Sequence, residues 1–282
     1  MNYVIIGNGT AAVGTIEGIR AVDQKGTITV ISEEPYHVYG RPLISYLLLG
    51  KTTEDKMLQY RPSDFYEKNG VITLLGRKAV RIDPAAGAVK LEDGMSVPYD
   101  KLCICTGSRP FVPPMSGLDT VENKTSFMTL DDAKHLDAML GSENDKRVLI
   151  IGAGLIGLKC AEGIYQRVKE LTVIDLAPRI LPNVLTEVPA SIIQKHIESK
   201  GVKFLLEDSV EQFEPNTAHL KSGKTIDFDV LVVAVGVRPN TELAAEAGCE
   251  VNRGILTDAC SATTVPGIYA AGDCTVSHDI AA

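Results

Sequence analysis

Two stretches constrain this chain more than anything else in it. Val4-Ile5-Ile6 runs into Gly7-Asn8-Gly9-Thr10-Ala11-Ala12, and Leu149-Ile150-Ile151 runs into Gly152-Ala153-Gly154-Leu155-Ile156-Gly157. Each is a short apolar run, a pair of glycines one residue apart, and then apolar residues at helical spacing. Val13, Ile16, Ile19 and Val22 form that stripe in the first copy; Ile156, Cys160, Ile164 and Val168 form it in the second. A further apolar strand closes each unit, Thr27–Ile31 and Leu171–Ile174. Strand, glycine turn, helix and strand make a βαβ unit. In such a turn the first glycine permits the tight bend and the second lets a phosphate group approach the backbone. The third, replaced by Ala12 in the first copy, lets helix and strand pack closely. Thr10, Ala11, Leu155 and Ile156 open the helices, whose unpaired N–H groups receive the phosphates.

The duplication goes further. Pro62–Asn69 reads as a helix stopped by Gly70 and followed by the strand Val71–Leu75. Pro189–Lys200 reads as a longer helix stopped by Gly201 and followed by Val202–Leu206. A later strand runs into Cys105-Thr106-Gly107-Ser108-Arg109-Pro110 in the first half and into Val235-Gly236-Val237-Arg238-Pro239 in the second. The halves differ between the second strand and the stopped helix, where the first is longer by 14 residues. Those extra residues include Tyr36–Tyr46 and leave the carboxyl edge of the sheet, where α/β folds bind ligands. The reading is an α/β chain of two Rossmann-like dinucleotide-binding domains, one inserted in the other. Residues 1–112 and 240–282 form the first, and 113–239 the second. The proline-rich Phe111-Val112-Pro113-Pro114 marks the first crossing.

Composition narrows the function class. The 282 residues carry a formal net charge of −8, and aromatics are 5% with no Trp. Neutralising nucleic-acid phosphates needs a basic face, and stacking bases needs aromatics, so a nucleic-acid binder is not expected. No run of apolar residues approaches a membrane span. Six Cys in a chain of this length do not make a secreted disulfide scaffold, and the N-terminus shows no leader, so a cytoplasmic location is expected. His37, His135, His196, His219 and His278 have no metal-ligand spacing, and no zinc or iron–sulfur Cys pattern occurs.

The strand ends suggest what each turn holds. Asp175 ends the second strand of the second copy, where a carboxylate bonds the adenosine ribose and repels a 2′-phosphate. NADH is therefore expected there, with NADPH the alternative that Arg179 would serve. In the first copy either Glu33 or Glu34 can hold a ribose, Glu33 being the first choice.

Together Gly7–Ala12, Cys105–Gly107, Gly152–Gly157 and Gly267–Asp273 resemble the FAD-dependent pyridine nucleotide-disulfide oxidoreductases over essentially the whole chain. The resemblance implies FAD on the first domain and NADH on the second. It makes Gly272 and Asp273 flavin-site residues, along with Cys105, Thr106, Gly107 and Arg109, and makes Gly236 the matching cofactor-site residue of the second domain. Tyr39-Gly40-Arg41-Pro42-Leu43-Ile44-Ser45 is similar to the NADH:rubredoxin reductase and nitrite reductase flavin-subunit branch. That places the insertion along the isoalloxazine, with Arg41 and Pro42 as flavin contacts.

Two departures from the family pattern bear on mechanism. The redox Cys pair of disulfide reductases is missing, and Tyr36–Tyr46 holds no single Cys. Cys103 and Cys105 share a strand face but are expected to be poorly placed to bond each other. The familiar Lys and Glu near flavin N5 are replaced by Tyr46 and Lys159. Lys159 either approaches the flavin and stabilises its reduced anion, or pairs with Glu162 on the helix surface. His37 and His278 flank the flavin segments. The expected activity is NADH oxidation with electrons passed to an external carrier such as rubredoxin or an iron–sulfur partner. The alternatives are an NADH oxidase and an electron-transfer subunit inactive alone. Members of the family continue into an interface domain that often builds a homo-oligomer, and this chain is expected to lack it.

Overall fold

The computed structural model describes residues 1–276, so His278 lies outside the described residues. The chain folds into two compact units. The first comprises Met1–Gly40, Leu58–Arg109 and the chain from Arg238 onward; the second comprises Arg41–Met57 and Pro110–Val237.

The first unit begins with β1 (Asn2–Ile6), α1 (Thr10–Val22) and β2 (Thr27–Ser32). The short helix α2 (Ile44–Leu48) follows and belongs to the second unit. Back in the first unit come β3 (Val71–Leu75) and β4 (Lys101–Ile104). The second unit continues with β5 (Lys124–Thr125), α3 (Leu130–Leu140), β6 (Arg147–Ile151), α4 (Leu155–Ile164) and β7 (Glu170–Ile174). It closes with α5 (Glu187–Glu198), β8 (Val202–Leu205) and β9 (Val230–Val233). The tail returns to the first unit as β10 (Ile268–Ala270).

Each unit is built on a five-stranded sheet, in the order β10-β4-β1-β2-β3 in the first and β5-β9-β6-β7-β8 in the second. All their pairings are parallel. Strand for strand, β1–β4 correspond to β6–β9. The fifth strand comes from the tail in the first unit and from the residues before β6 in the second. In both, an antiparallel three-stranded meander joins the third strand to the fourth. It spans Ala79–Asp83, Ala88–Leu91 and Ser96–Pro98 in the first unit. In the second it spans Val210–Glu214, Thr217–Leu220 and Thr225–Asp227.

A parallel sheet covered on both faces explains the unbroken apolar runs. Ile5, Ile28 and Val30 pack under α1 with Val13 and Ile16. Val4, Ile6, Ile31, Leu102 and Ile104 point the other way, onto the meander residues Ile82, Val89 and Leu91. In the second unit Leu149, Ile151, Leu231 and Val233 likewise meet Phe213 and Phe228.

Some sequence expectations are corrected. Val22, the last residue of α1, is 85% exposed and lies outside the apolar stripe that packs on the sheet. Val168 falls beyond α4, which ends at Ile164. The helix before Gly70 shrinks to Phe65–Lys68, and the one before Gly201 starts at Glu187. The largest difference concerns Arg41–Met57, read as part of the first domain, which packs within the second unit. The cause is a side chain that is absent. Gly163 of α4 lets α2 come so close that a Cβ there would stand 3.2 Å from the Ser45 carbonyl oxygen. Ser45 is fully buried, Arg167 donates to the Leu48 carbonyl at 3.3 Å, and Lys134 pairs with Glu54 at 2.8 Å.

Candidate functional site: two glycine turns at two sheet edges

The strand registers bring the carboxyl ends into line. Ile6 pairs with Ile31 and Ile104, and Ile104 with Ala270, so Gly7, Glu33, Cys105–Gly107 and Ala271–Asp273 all leave one sheet edge. Ile151 pairs with Ile174 and Val233, so Gly152, Asp175 and Ala234–Gly236 leave the other.

The two turns have the same build. Gly7 has φ +109° and donates to the Ile31 carbonyl at 2.8 Å; Gly152 has φ +110° and donates to the Ile174 carbonyl at 2.8 Å. A Cβ on Gly7 would run into the carbonyl oxygen of Cys105, and one on Gly152 into that of Ala234. Both the positive φ and the close backbone require glycine. Gly157 packs its α-carbon against the Gly152 carbonyl, where no side chain fits. Ala12 takes the corresponding place in the first unit and is fully buried.

The next glycine of each turn has open space before it. Gly9 and Gly154 are the N-caps of α1 and α4, extended and without a side-chain cap. A Cβ on either would meet nothing within 4 Å, and neither helix has an acidic residue in its first turn. Uncapped N–H groups at the positive end of a helix, facing open space, suit a phosphate. Thr10 and Ala11 open α1; Leu155, 60% exposed, and the half-buried Ile156 open α4.

Around the first turn the tail makes a close approach. Gly272, with φ +85°, sits where a Cβ would come within 2.8 Å of the Ala11 Cβ. The exposed Asp273 is thereby delivered to the first turn of α1. Thr106 donates its hydroxyl to the Asn240 carbonyl at 2.8 Å, and Asn240 Nδ2 donates to the Thr106 carbonyl at 2.8 Å. The Gly107 carbonyl accepts from the Asn240 N–H at 2.9 Å. Arg109 binds Glu242 through both guanidinium nitrogens and Asn240 Oδ1 at 2.8 Å. That pairing holds the Glu242 carboxyl below its ordinary range. Glu33 pairs with Lys78 at 3.0 Å, and Glu34 accepts from the Tyr39 hydroxyl at 2.6 Å.

Sequence reasoning missed Asn8 and Tyr66. Asn8, between the two glycines, donates to the Tyr36 carbonyl at 3.1 Å and accepts from the Tyr66 hydroxyl at 2.6 Å. Val38 N–H donates to the same hydroxyl at 3.3 Å, and burial pushes the Tyr66 phenol up. The His37 ring lies 4.7 Å from the Tyr66 ring, and its Nε2 is buried without a hydrogen-bond partner among the described residues. A polar residue inside the glycine turn was the available signal.

Around the second turn, Asp175 uses both carboxylate oxygens. Oδ2 accepts from Ala153 N–H at 2.6 Å and Oδ1 from Ala177 N–H at 2.8 Å. Arg179 donates instead to the Leu185 and Pro182 carbonyls, at 3.0 and 3.2 Å, bracing its own loop. Gly236, with φ +131°, accepts from Phe111 N–H at 2.9 Å. Lys159 is bonded to Glu162, and its ammonium lies 4.4 Å from the Tyr46 ring centre. Arg41 donates to the Met128 carbonyl at 3.4 Å, with Pro42 exposed in the same turn. Both fall in the second unit rather than the first.

Cys103 and Cys105 are free thiols, and their sulfurs lie in contact at 3.6 Å. Among the described residues no three His, Cys, Asp or Glu converge as a metal site, and no helix is long and apolar enough to cross a membrane.

Comparison with known proteins gives the family. The model of the pyridine nucleotide-disulphide oxidoreductase family matches residues 1–281. A nitrite reductase (NAD(P)H) of Bacillus subtilis (strain 168) is 35% identical over 99% of this chain, which spans 35% of that protein. A rubredoxin-NAD(+) reductase of Pseudomonas putida is 31% identical over 99% of this chain, which spans 73% of it. A chain of the covalent putidaredoxin reductase–putidaredoxin complex has a TM-score of 0.90 at 29% identity, over 99% of this chain and 69% of that one. The chain thus spans about a third to three quarters of the curated relatives it matches. Two glycine turns of one build, two parallel sheets of one order and a family match over almost every residue agree: the chain belongs to the pyridine nucleotide-disulphide oxidoreductase family.

Proposed function

We propose that the first unit binds FAD, that the second binds NADH, and that the chain transfers reducing equivalents from NADH to an external redox protein. The observation that carries this reading is the shared build of the turns combined with one difference between them. Both present an open, uncapped helix N-terminus behind a glycine that tolerates no Cβ. Among the described residues, only the first receives a returning tail, with Gly272 against Ala11 and Asp273 beside it. FAD, when bound, supplies the centre that accepts hydride and releases electrons onward.

The chain's own residues bind and orient. Gly7, Gly9, Thr10, Ala11 and Ala12 would hold the FAD pyrophosphate, Glu33 or Glu34 its ribose, and Asp273 the polar chain beside it. Thr106, Gly107 and Asn240 brace the neighbouring strand end through three mutual hydrogen bonds. Gly152, Gly154, Leu155, Ile156 and Gly157 would hold the NADH pyrophosphate. Asp175, fixed by two backbone N–H groups, offers its remaining lone pairs to the adenosine ribose. Its negative charge repels a 2′-phosphate, and Arg179 is committed to carbonyls of its own loop, which favours NADH over NADPH. Arg41 and Lys159 are the proposed sources of positive charge for the flavin, and Lys159 is proposed to tune it. The acceptor is proposed to be rubredoxin or another iron–sulfur carrier.

The test is the visible spectrum of the 282-residue chain with FAD, followed by NADH without oxygen. A flavin spectrum that bleaches with NADH and not with NADPH supports the reading. A chain that retains no FAD, or a flavin that NADH leaves oxidised, overturns it for this chain. Rapid oxygen uptake with no carrier added would replace the external acceptor with oxygen.

A further inference from the structure

From the sulfur geometry we infer a redox-modification site beside the first glycine turn: Cys103 and Cys105 form a dithiol that a small hydroperoxide converts to an intramolecular disulfide. The two sulfurs already lie 3.6 Å apart, and the Thr15 hydroxyl of α1 contacts both, at 3.6 and 3.7 Å. Two residues of strand advance about 6.6 Å, inside the about 6.8 Å that a disulfide can span between α-carbons. That is the upper end of the range, so closing the bond asks for side-chain rotation together with a local backbone adjustment at Cys105, one residue past the end of β4.

The pair is asymmetric in a way that divides the labour. Cys105 is buried against α1, whereas Cys103 is half-buried. Cys103 lines a cleft of about 360 Å³ with Tyr3, Thr15, Lys101 and Tyr269. A molecule the size of hydrogen peroxide reaches the sulfur from there. Hydrogen bonding from Cys105 and Thr15 pulls the Cys103 thiol down, while the same bond and burial push Cys105 well up. As the less buried member of the pair, lining the cleft, Cys103 is the attacking group.

The Cys103 thiolate attacks one peroxide oxygen, the O–O bond breaks, and the alcohol or water leaves with the proton, giving a sulfenic acid. The Cys105 sulfur, losing its proton, attacks the Cys103 sulfur; the S–O bond breaks and water leaves. Two thiols and one hydroperoxide become one disulfide, one alcohol or water, and one further water.

The chain itself contains the comparison that decides the matter. Cys260 is exposed, so exposure alone would direct oxidation there. The experiment treats the folded chain with one equivalent of hydrogen peroxide, alkylates the remaining thiols and maps the peptides by mass. The expected result is loss of two hydrogens on the peptide holding Cys103 and Cys105, about tenfold faster than any change at Cys260. Cys105→Ser should leave a Cys103 sulfenic acid that dimedone traps, and Thr15→Val should slow the reaction. Oxidation of Cys260 ahead of Cys103, or Cys103 advancing to sulfinic acid in the unsubstituted chain without bridging, overturns the inference. Neither readout requires FAD or NADH.

Discussion

Lys159 shows how much a single neighbour decides. An ammonium standing alone projects a full charge, whereas one held by Glu162 projects mainly a dipole. The Tyr46 ring, 4.4 Å from the ammonium on one side and 5.3 Å from Lys51 on another, keeps the side chain in place. If its charge reaches the flavin, removing it destabilises the reduced anion. Lys159→Met is then expected to lower the flavin midpoint potential by about 30 mV, equivalent to about 1.4 kcal/mol for two electrons. An unchanged potential assigns Lys159 to the local pair with Glu162. Asp175 was legible in the sequence because its place at a strand end follows from the apolar run before it. Its two bonds, to Ala153 and Ala177 N–H, were not, because they depend on how the glycine turn curls back. Arg109 was read as a cofactor contact from its place in a motif. The structure shows its guanidinium engaged by Glu242 and Asn240, 131 and more residues away in sequence.

At the scale of elements, the start of the second sheet is tied by Arg147, which pairs with Asp229 at 2.9 Å and with Asp227 at 3.4 Å. Asp229, just before β9, accepts from the backbone N–H of Arg147 at 2.7 Å and from its guanidinium at 2.9 and 3.2 Å, clamping β9 to β6. Arg147 holds the Asp229 carboxyl below its ordinary range, with burial opposing. A carboxyl depressed in the folded state adds stability in full above its unfolded pKa, about 3.9, and loses it as pH falls through the folded value. The second unit should therefore weaken below about pH 4. Asp229→Asn should cost about 1 kcal/mol at pH 7, after allowance for a pair that is about a third exposed, and little at pH 2. Urea melts at the two pH values measure this; an equal cost at both would mean the clamp is not electrostatic. Element boundaries were less legible than element types. Helical spacing carried α4 to Val168 and the helix before Gly70 back to Pro62, yet α4 ends at Ile164 and that helix spans only Phe65–Lys68, since helix length is set by tertiary packing more than by spacing.

For the whole molecule, the division of the chain is the main surprise. The residues 41–57 leave the first unit's sequence and pack within the second, on α4 at Gly163. A fragment of residues 110–237 alone would leave that face bare. It should melt at lower urea than the same fragment with a peptide of residues 41–57 added, and the midpoint should rise with peptide concentration. A midpoint indifferent to the peptide would mean the segment adds nothing to the second unit. Arg41 and Pro42 travel with this segment, so the family motif that suggested flavin contacts is held by the second unit's helices. Nothing in the residues 41–57 announced this, since the deciding feature is a glycine more than a hundred residues later.

The sequence by itself determined the two glycine turns, the parallel strands that feed them and the near-identity of the two units. These follow from constraints each residue carries alone: a positive φ that only glycine accepts readily, and apolar runs that must be covered on both faces. Tertiary structure alone decided that Gly272 meets Ala11, that α2 seats on α4, and that the Cys103 and Cys105 sulfurs meet beside Thr15. Those depend on the space left between elements distant in the chain, which is set by packing and by the side chains that are missing as much as by those present.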